Sequence, residues 1–161
     1  MGAERGDGRP ADFGFRYEWR EGSVPPPHHY EYTICVSPEG DGTIVFRPDY
    51  PEHGTPAWDE HFRVSGPLLD ELHKRMLEPR VTAAVWDTAP DSAHVGGALE
   101  WLEVVAGGER HVVPSDLLHP EAMEPVYAFI RGLVPEAIWA RLRARHEAFQ
   151  AGYGQGQGSW S

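Results

Sequence analysis

The chain has 161 residues, a length typical of one domain, and 40% of them are hydrophobic, which suits a core that needs no metal or disulfide staple. Acidic residues number 25 and basic residues 14, giving a net charge of −11, and an acidic surface repels phosphate. Neither nucleic acid nor a membrane face is therefore expected as a partner, and the single cysteine, Cys35, excludes an internal disulfide.

The N-terminal residues predict neither export nor membrane insertion. Residues 1–12 are rich in glycine and charge, and they form no apolar run of signal-peptide length. No apolar stretch of about 18 residues, the length that crosses a bilayer, occurs in the sequence. We therefore predict a soluble, cytoplasmic protein.

Alternation of apolar and polar side chains predicts four strands before residue 65. They cover residues 13–19, about 28–37, about 42–48 and 57–64. The even-numbered residues of the second strand are Tyr, Tyr, Ile and Val, so this face is predicted to be buried. Its odd-numbered residues Glu31, Thr33 and Cys35 are predicted to face outward.

Two details refine these early strands. The sequence Gly40-Asp41-Gly42 lies between the second and third strands and predicts a tight hairpin turn, because Asp-Gly tolerates positive φ angles. In the fourth strand, Glu60 is the one charged residue on an otherwise apolar face. That face is therefore predicted to be buried with one discordant side chain.

Helices and a second hairpin follow. Ser65-Gly66-Pro67 predicts the start of a helix that ends at Glu78-Pro79. Its predicted buried stripe is Leu68, Leu69, Leu72 and Met76. The later predicted elements are a short β-prone run at 81–86, an interior strand at 98–105, a Gly107-Gly108 turn, a strand at 110–113, a helix at about 120–133 and a helix from Pro135 to about 150. The buried faces of the last two helices are predicted to hold Met123, Val126, Tyr127, Ile130, Leu133, Ile138, Leu142 and Phe149.

These elements predict an α+β fold. An antiparallel sheet of about six hairpin-connected strands is covered by about three helices, in the order ββββ-α-ββ(β)-αα. The predicted organisation is a flexible segment over 1–12, a single domain over 13–150 and a disordered Gly/Gln-rich tail over 151–161.

Nine histidines suggest a metal site, but no His-x-His pair and no i, i+4 pair is present. The best candidates are Asp59 and His61, two residues apart on one strand face. Glu31 and Cys35 occupy the corresponding face of the second strand, so a carboxylate, an imidazole and a thiol would come together if the two strands paired. The simpler interpretation, which we favour, is a solvated strand face. No metal and no cofactor is predicted.

Catalytic signatures are absent from the rest of the sequence. Cys35 would be a nucleophile only if an imidazole lowered its pKa, and its mid-strand position favours a structural role. Glu100 and Glu103 point to opposite faces of their predicted strand and do not form an acid–base pair. The sequence also has no Gly-x-Ser-x-Gly elbow and no phosphate-binding loop.

Two functional hypotheses remain. Residues 21–60 carry eight acids and one base, Arg47, for a charge of −7 over a segment rich in aromatic side chains. This favours a protein-binding module, of the inhibitor or immunity type, that binds a basic protein or self-associates. The alternative is a small-ligand-binding protein or small enzyme with a pocket between sheet and helices. Its candidate residues are Glu31, Cys35, Asp59 and His61.

Overall fold

The computed structural model describes residues 8–21, 28–49, 54, 56–78, 81, 99–113 and 120–160. Six strands lie in this part of the chain: β1 (Gly14–Arg20), β2 (Glu31–Val36), β3 (Asp41–Arg47), β4 (Trp58–Arg63), β5 (Leu99–Ala106) and β6 (Glu109–Val113). Its helices are α1 (Gly66–Met76), a 3-10 helix (Pro120–Met123), α2 (Glu124–Leu133) and α3 (Glu136–Trp160). No helix in these ranges is long and apolar enough to cross a membrane.

All six strands form one antiparallel sheet in the order β4-β3-β2-β1-β5-β6. Because β1 pairs with both β2 and β5, it joins strands β2, β3 and β4 to the hairpin formed by β5 and β6. The predicted α+β fold, with its hairpin-connected sheet and three α-helices, is confirmed. The predicted β-prone run at 81–86 lies outside the described residues except for Val81, which is buried and has a helical and not an extended backbone.

The sidedness predicted for the early strands is confirmed. Tyr32, Ile34 and Val36 are buried, whereas Cys35 between them is exposed. The three α-helices pack on the apolar face, which we call the inner face. Ring contacts mark this packing: His73 of α1 lies on Phe13, Tyr127 of α2 on Tyr17, and Trp139 of α3 on Tyr32. The opposite, outer face carries polar side chains and is covered by none of these helices.

The turn of the first hairpin, from Ser37 to Gly40, comes earlier in the chain than the predicted Gly40-Asp41-Gly42 turn. Gly40 has the positive φ, 91°, and its N–H donates to the carbonyl of Ser37 at 2.9 Å. Asp41 and Gly42 already belong to β3. Gly42 is needed for space rather than for its φ angle, since a Cβ there would lie 2.4 Å from the ring of Phe62 on β4. The second hairpin turns at Gly107 and Gly108 with positive φ, as predicted.

Residues 9–12 are tied to the body of the protein, although they fall in the segment predicted to be flexible. The Asp12 carboxylate accepts hydrogen bonds at 2.8 Å from the backbone N–H groups of both Gly107 and Gly108. These two bonds hold the pKa of Asp12 below its usual value. Arg9 pairs with Asp70 of α1 at 2.6 Å. Residues 1–7 lie outside the described ranges.

Helix α1 buries a stripe that differs by one residue from the predicted one. Leu69, Leu72 and Met76 are buried as predicted, but Leu68 is 44% exposed and His73 takes its place. The observed stripe follows the i, i+3, i+4, i+7 spacing of a helical face. The edge of the His73 ring contacts Phe13 at 5.2 Å, which places this imidazole in the core.

Helix α3 begins directly after Pro135, as predicted, and its backbone remains helical to Trp160. The helix boundary predicted near residue 150 is therefore not observed, and the segment predicted to be a disordered tail continues the helix. Ile138 and Leu142 are buried against the sheet, and no side chain described between 143 and 153 is fully buried. The extension follows from helix cooperativity, because each further residue adds one hydrogen bond to a turn that already exists.

Candidate functional site

Four small, uncharged side chains lie next to one another on the outer face of strands β2 and β3. Thr33 and Cys35 of β2 face Val45 and Thr43 of β3, respectively, in the strand register. Cys35 is exposed and the other three are half-buried. We call these four residues the neutral patch.

Charged or titratable side chains surround the neutral patch on all four sides. They are Arg16 and Glu18 on β1, Asp59 and His61 on β4, Asp41 with Arg63 at one end, and Glu31 with Arg47 at the other. Several of them pair with each other: Arg16 lies 2.6 Å from Glu18, and Arg63 donates to Asp41. This charged rim therefore contains both signs, four acids and three arginines, with His61 beside them.

All four residues singled out from the sequence lie on this face, but the structure does not bring them together. β3 lies between β2 and β4, so Glu31 and Cys35 are two strands away from Asp59 and His61, about 10 Å. His61 contacts Asp59 and the Thr43 hydroxyl, each at 3.4 Å. Glu31 instead pairs with His29 at 2.9 Å. In the described ranges no three His, Cys, Asp or Glu residues could hold a metal ion.

The environment of Cys35 does not activate its thiol. Desolvation raises the pKa of this group, and the carboxylates of Glu18 and Glu103 raise it further, against an opposing effect of Arg16. A thiol with a raised pKa holds little thiolate at neutral pH. A nucleophilic role for Cys35, which the sequence made conditional on a lowered pKa, therefore has no electrostatic support.

The inner face carries a cross-strand row of aromatic rings at the end of the sheet where β1 finishes. The row runs through Trp58, Phe46, Tyr32 and Trp19 on β4, β3, β2 and β1. Neighbouring ring centroids are 5.5 to 6.4 Å apart and their planes are stacked. Glu100 on β5 continues the row beside Trp19. Most of the aromatic side chains in the first 62 residues are thus core residues under the helices.

A polar cluster lies between this sheet face and α2, and we call it the sheet–helix cluster. The Tyr17 hydroxyl donates to Glu100 Oε2 at 2.6 Å. Arg131 Nη1 donates to the Tyr17 hydroxyl at 2.9 Å and to Glu100 Oε2 at 3.1 Å. Its Nη2 donates to Glu124 at 3.0 Å, and Tyr127 lies beside Tyr17 with ring centroids 5.1 Å apart.

The hydroxyl groups of this cluster are held in their neutral form. Burial raises the pKa of Tyr17, and the neighbouring Tyr32 and Glu100 raise it further. Burial likewise raises the pKa of Tyr127, with further contributions from Glu100 and Glu124. The tyrosines therefore act as hydrogen-bonding groups and not as bases near neutral pH.

The sequence contains only a weak signal for the sheet–helix cluster. Glu100 interrupts the inward face of an apolar strand, and Arg131 follows the buried Tyr127 by four residues, on the same side of α2. Neither feature shows that the two side chains meet, because 31 residues separate them and Tyr17 is 114 residues from Arg131. Glu103, which neighbours Glu100 in sequence, faces outward and pairs with Arg110.

Glu60, the discordant charge on the inner side of β4, also has a partner. Arg141 of α3 donates to its two carboxylate oxygens at 2.9 and 3.2 Å. These bonds lower the pKa of Glu60. The pair joins an edge strand of the sheet to the helix above it.

Comparison of the chain with known protein families and with curated proteins finds no match to either. The chemistry of the two sheet faces is therefore the basis for a functional proposal.

Proposed function

We propose that the chain is a protein-binding module, of the inhibitor or immunity type, that binds a basic partner protein through the outer face of its sheet. The observation that carries this proposal is the neutral patch with its charged rim. Protein interfaces typically have a centre depleted of charge and a polar, solvated border. Thr33, Cys35, Thr43 and Val45 share the absence of charge that is typical of such a centre.

The size of the outer face supports this role. Six strands spaced about 4.8 Å apart span about 24 Å, and strands of this length run for about 20 Å. With the relief of the side chains, such a surface supplies much of the roughly 800 Å² that each partner contributes to a standard interface. Both strands of the patch, β2 and β3, are hydrogen-bonded to a neighbouring strand on each side, which keeps them in a fixed position.

The charge of the whole molecule favours a basic partner over a second copy of this chain. Two copies would each carry −11 and repel each other at long range, whereas a basic protein would be attracted. The rim adds little net charge, because its four acids face three arginines. Its role is to fix the orientation of the partner through local pairing.

The test compares two arginine substitutions that make the same change in net charge. Thr43→Arg places a long cation in the neutral patch, and Ala148→Arg places one on the exposed side of α3. We expect an extract of the producing cells to yield one basic protein that binds the wild-type chain and Ala148→Arg but not Thr43→Arg. With that protein purified, its association rate constant should fall steeply as salt rises, because salt screens the attraction.

Three results would contradict the proposal. They are equal binding of the partner by both variants, association that does not respond to salt, and a captured partner that is acidic. Sedimentation of the purified chain supplies a fourth check: a dimer that Thr43→Arg disperses would identify a second copy as the occupant of the face. Matching melting temperatures for the two variants would establish that both are folded.

A further inference from the structure

The outer face has a second uncharged area, on the other side of β1 from the neutral patch. Trp101 and Val105 of β5 alternate with the buried Leu102 and Val104, so they point outward, and Val112 of β6 lies diagonally to both. Side chains in such diagonal positions are within reach of each other. We call Trp101, Val105 and Val112 the apolar strip.

The strip concentrates apolar surface that is rare elsewhere on this protein. Trp101 is half-buried, and the two valines are 36% and 37% exposed. Among the residues that the structure describes, the other large apolar side chains exposed to this degree are Leu68 and Leu77, at opposite ends of α1. Isolated exposed apolar residues are normal, whereas a group of neighbouring ones marks an interaction surface.

The charged groups around the strip are neutralised within the chain. Glu103, in the middle of the strip, accepts hydrogen bonds from Nε and Nη2 of Arg110, and these bonds hold its pKa below the usual value. On β1, Arg16 pairs with Glu18 at 2.6 Å, and its guanidinium carbon lies 5.9 Å from the ring centroid of Trp101. Two glutamates and two arginines leave no net charge. The strip therefore suits apolar side chains of a partner rather than its cations.

A partner seated on the neutral patch also reaches the strip. The two areas are centred three strand spacings apart, about 14 Å, and a standard interface of roughly 800 Å² per partner needs most of the sheet face. Arg16 belongs to the charged rim of the neutral patch and lies over Trp101, so the two areas are continuous. Tryptophan and arginine are enriched among the residues that contribute most of the energy of protein interfaces.

We propose that the apolar strip, with Trp101 as its principal contact, holds the basic partner through apolar contacts. This inference rests on the proposed function and adds the chemistry of the partner: its surface has an uncharged, apolar area that covers the strip. The net charge of −11 then governs how fast the partner associates, and the strip governs how slowly it dissociates.

The test measures the two rate constants separately by surface plasmon resonance. The probe is the basic protein that the wild-type chain captures in the experiment described above. We expect Trp101→Ala to raise its dissociation rate constant at least about thirtyfold, the effect of losing a dominant interface residue. The association rate constant and its salt dependence should not change, because the net charge is the same.

Two further variants complete the test. The control is Leu68→Ala, which shortens an exposed apolar side chain on α1, at the opposite side of the sheet, and should change neither rate constant. Val112→Thr keeps the shape and strand propensity of valine, so it tests the strip even if Trp101→Ala fails to fold. It should raise the dissociation rate constant by a smaller factor than Trp101→Ala.

The possible failures of this inference and of the proposed function are distinguishable. If Thr43→Arg loses the partner but Trp101→Ala and Val112→Thr dissociate at the wild-type rate, the inference is wrong and the proposed function stands. A loss of affinity that lies only in the association rate constant would also overturn the inference. If the wild type captures no basic protein, or if Thr43→Arg binds it as the wild type does, both fail.

Discussion

Gly42 shows how the absence of a side chain at one residue lets a neighbouring ring pack directly on the backbone. It lies inside β3 with an ordinary strand conformation, directly opposite Phe62 of β4. The ring of Phe62 covers the position where a Cβ would stand, 2.4 Å from its nearest ring carbon. The requirement for glycine here is steric, and it differs from that at Gly40, where the φ of 91° favours glycine.

Substitution of Gly42 by alanine should therefore destabilise the protein. The added methyl group must displace a ring that is packed into the core, and overpacking of this kind costs about 1–3 kcal/mol. Urea unfolding followed by circular dichroism measures the change in the free energy of unfolding.

The control is Gly132→Ala in α2, where a Cβ would meet nothing within 4 Å. Alanine at this helical position should stabilise the protein by about 0.5–1 kcal/mol, because glycine loses more backbone entropy on folding. Equal stability of Gly42→Ala and the wild type would show that Phe62 can move without cost.

At the scale of the element, the two halves of α3 differ in how they pack on the rest of the protein. Its first half buries Ile138 and Leu142, and Arg141 ties it to the sheet through Glu60. Its second half contacts the sheet side through His146, whose ring lies 5.1 Å from that of Tyr30. From residue 152 every second position is glycine as far as 158.

The two halves should differ in local stability. Glycine costs a helix about 1 kcal/mol relative to alanine, and residues 151–160 contain four glycines. We expect amide hydrogens of residues 138–146 to exchange slowly, near the rate set by global unfolding, and those of 152–160 to exchange within minutes. Hydrogen exchange followed by mass spectrometry measures both segments in one experiment. Slow exchange over 152–160 would contradict this expectation and would mean that the end of the helix is stabilised by further packing.

For the whole molecule, a single hydrophobic core connects the sheet to all three helices. The buried cluster includes residues from every strand and helix, among them Phe13, Ile44, Leu72, Ile130 and Leu142. Long-range contacts of this kind make separate unfolding of sheet and helices unfavourable, because each would expose the apolar face of the other.

Unfolding of the body of the protein should therefore be one cooperative transition. Tryptophan fluorescence reports on Trp19 and Trp58 of the aromatic row and on Trp139 of α3, which packs on it, whereas far-ultraviolet circular dichroism reports mostly on the helices. Urea titrations followed by the two signals should give the same midpoint and the same slope. Midpoints that differ beyond error would show that the sheet and the helical layer unfold separately.

Much of the fold follows from local patterns in the sequence. Alternation over residues 30–36 predicts both the strand and its buried side, because a strand has only two faces. Helix phase is harder to predict: Leu68 is more apolar than His73, yet the structure buries the histidine against Phe13. The deciding contact comes from Phe13, which directly precedes β1 and lies more than 50 residues earlier in the chain, and composition alone does not locate it.

The candidate sites also combine properties that local sequence patterns predict with properties that depend on long-range contacts. The outward position of Glu31, Cys35, Asp59 and His61 is a local property and was predictable, whereas their separation depends on β3 lying between the two strands. The sheet–helix cluster was not predictable, since Tyr17, Glu100 and Arg131 come from three distant segments. Their meeting depends on which strand β1 pairs with and on how α2 crosses the sheet.

The amino-acid sequence by itself determined where most of the described strands and helices lie and which strand faces are apolar, because these depend on side-chain periods of two and 3.6 residues. Only the tertiary structure decided the strand order, the neutral patch with its rim, and the partners of Glu60 and Glu100. The physical reason is that a hydrogen bond or ion pair between distant segments forms only when packing of the whole core brings the two groups within about 3 Å of each other.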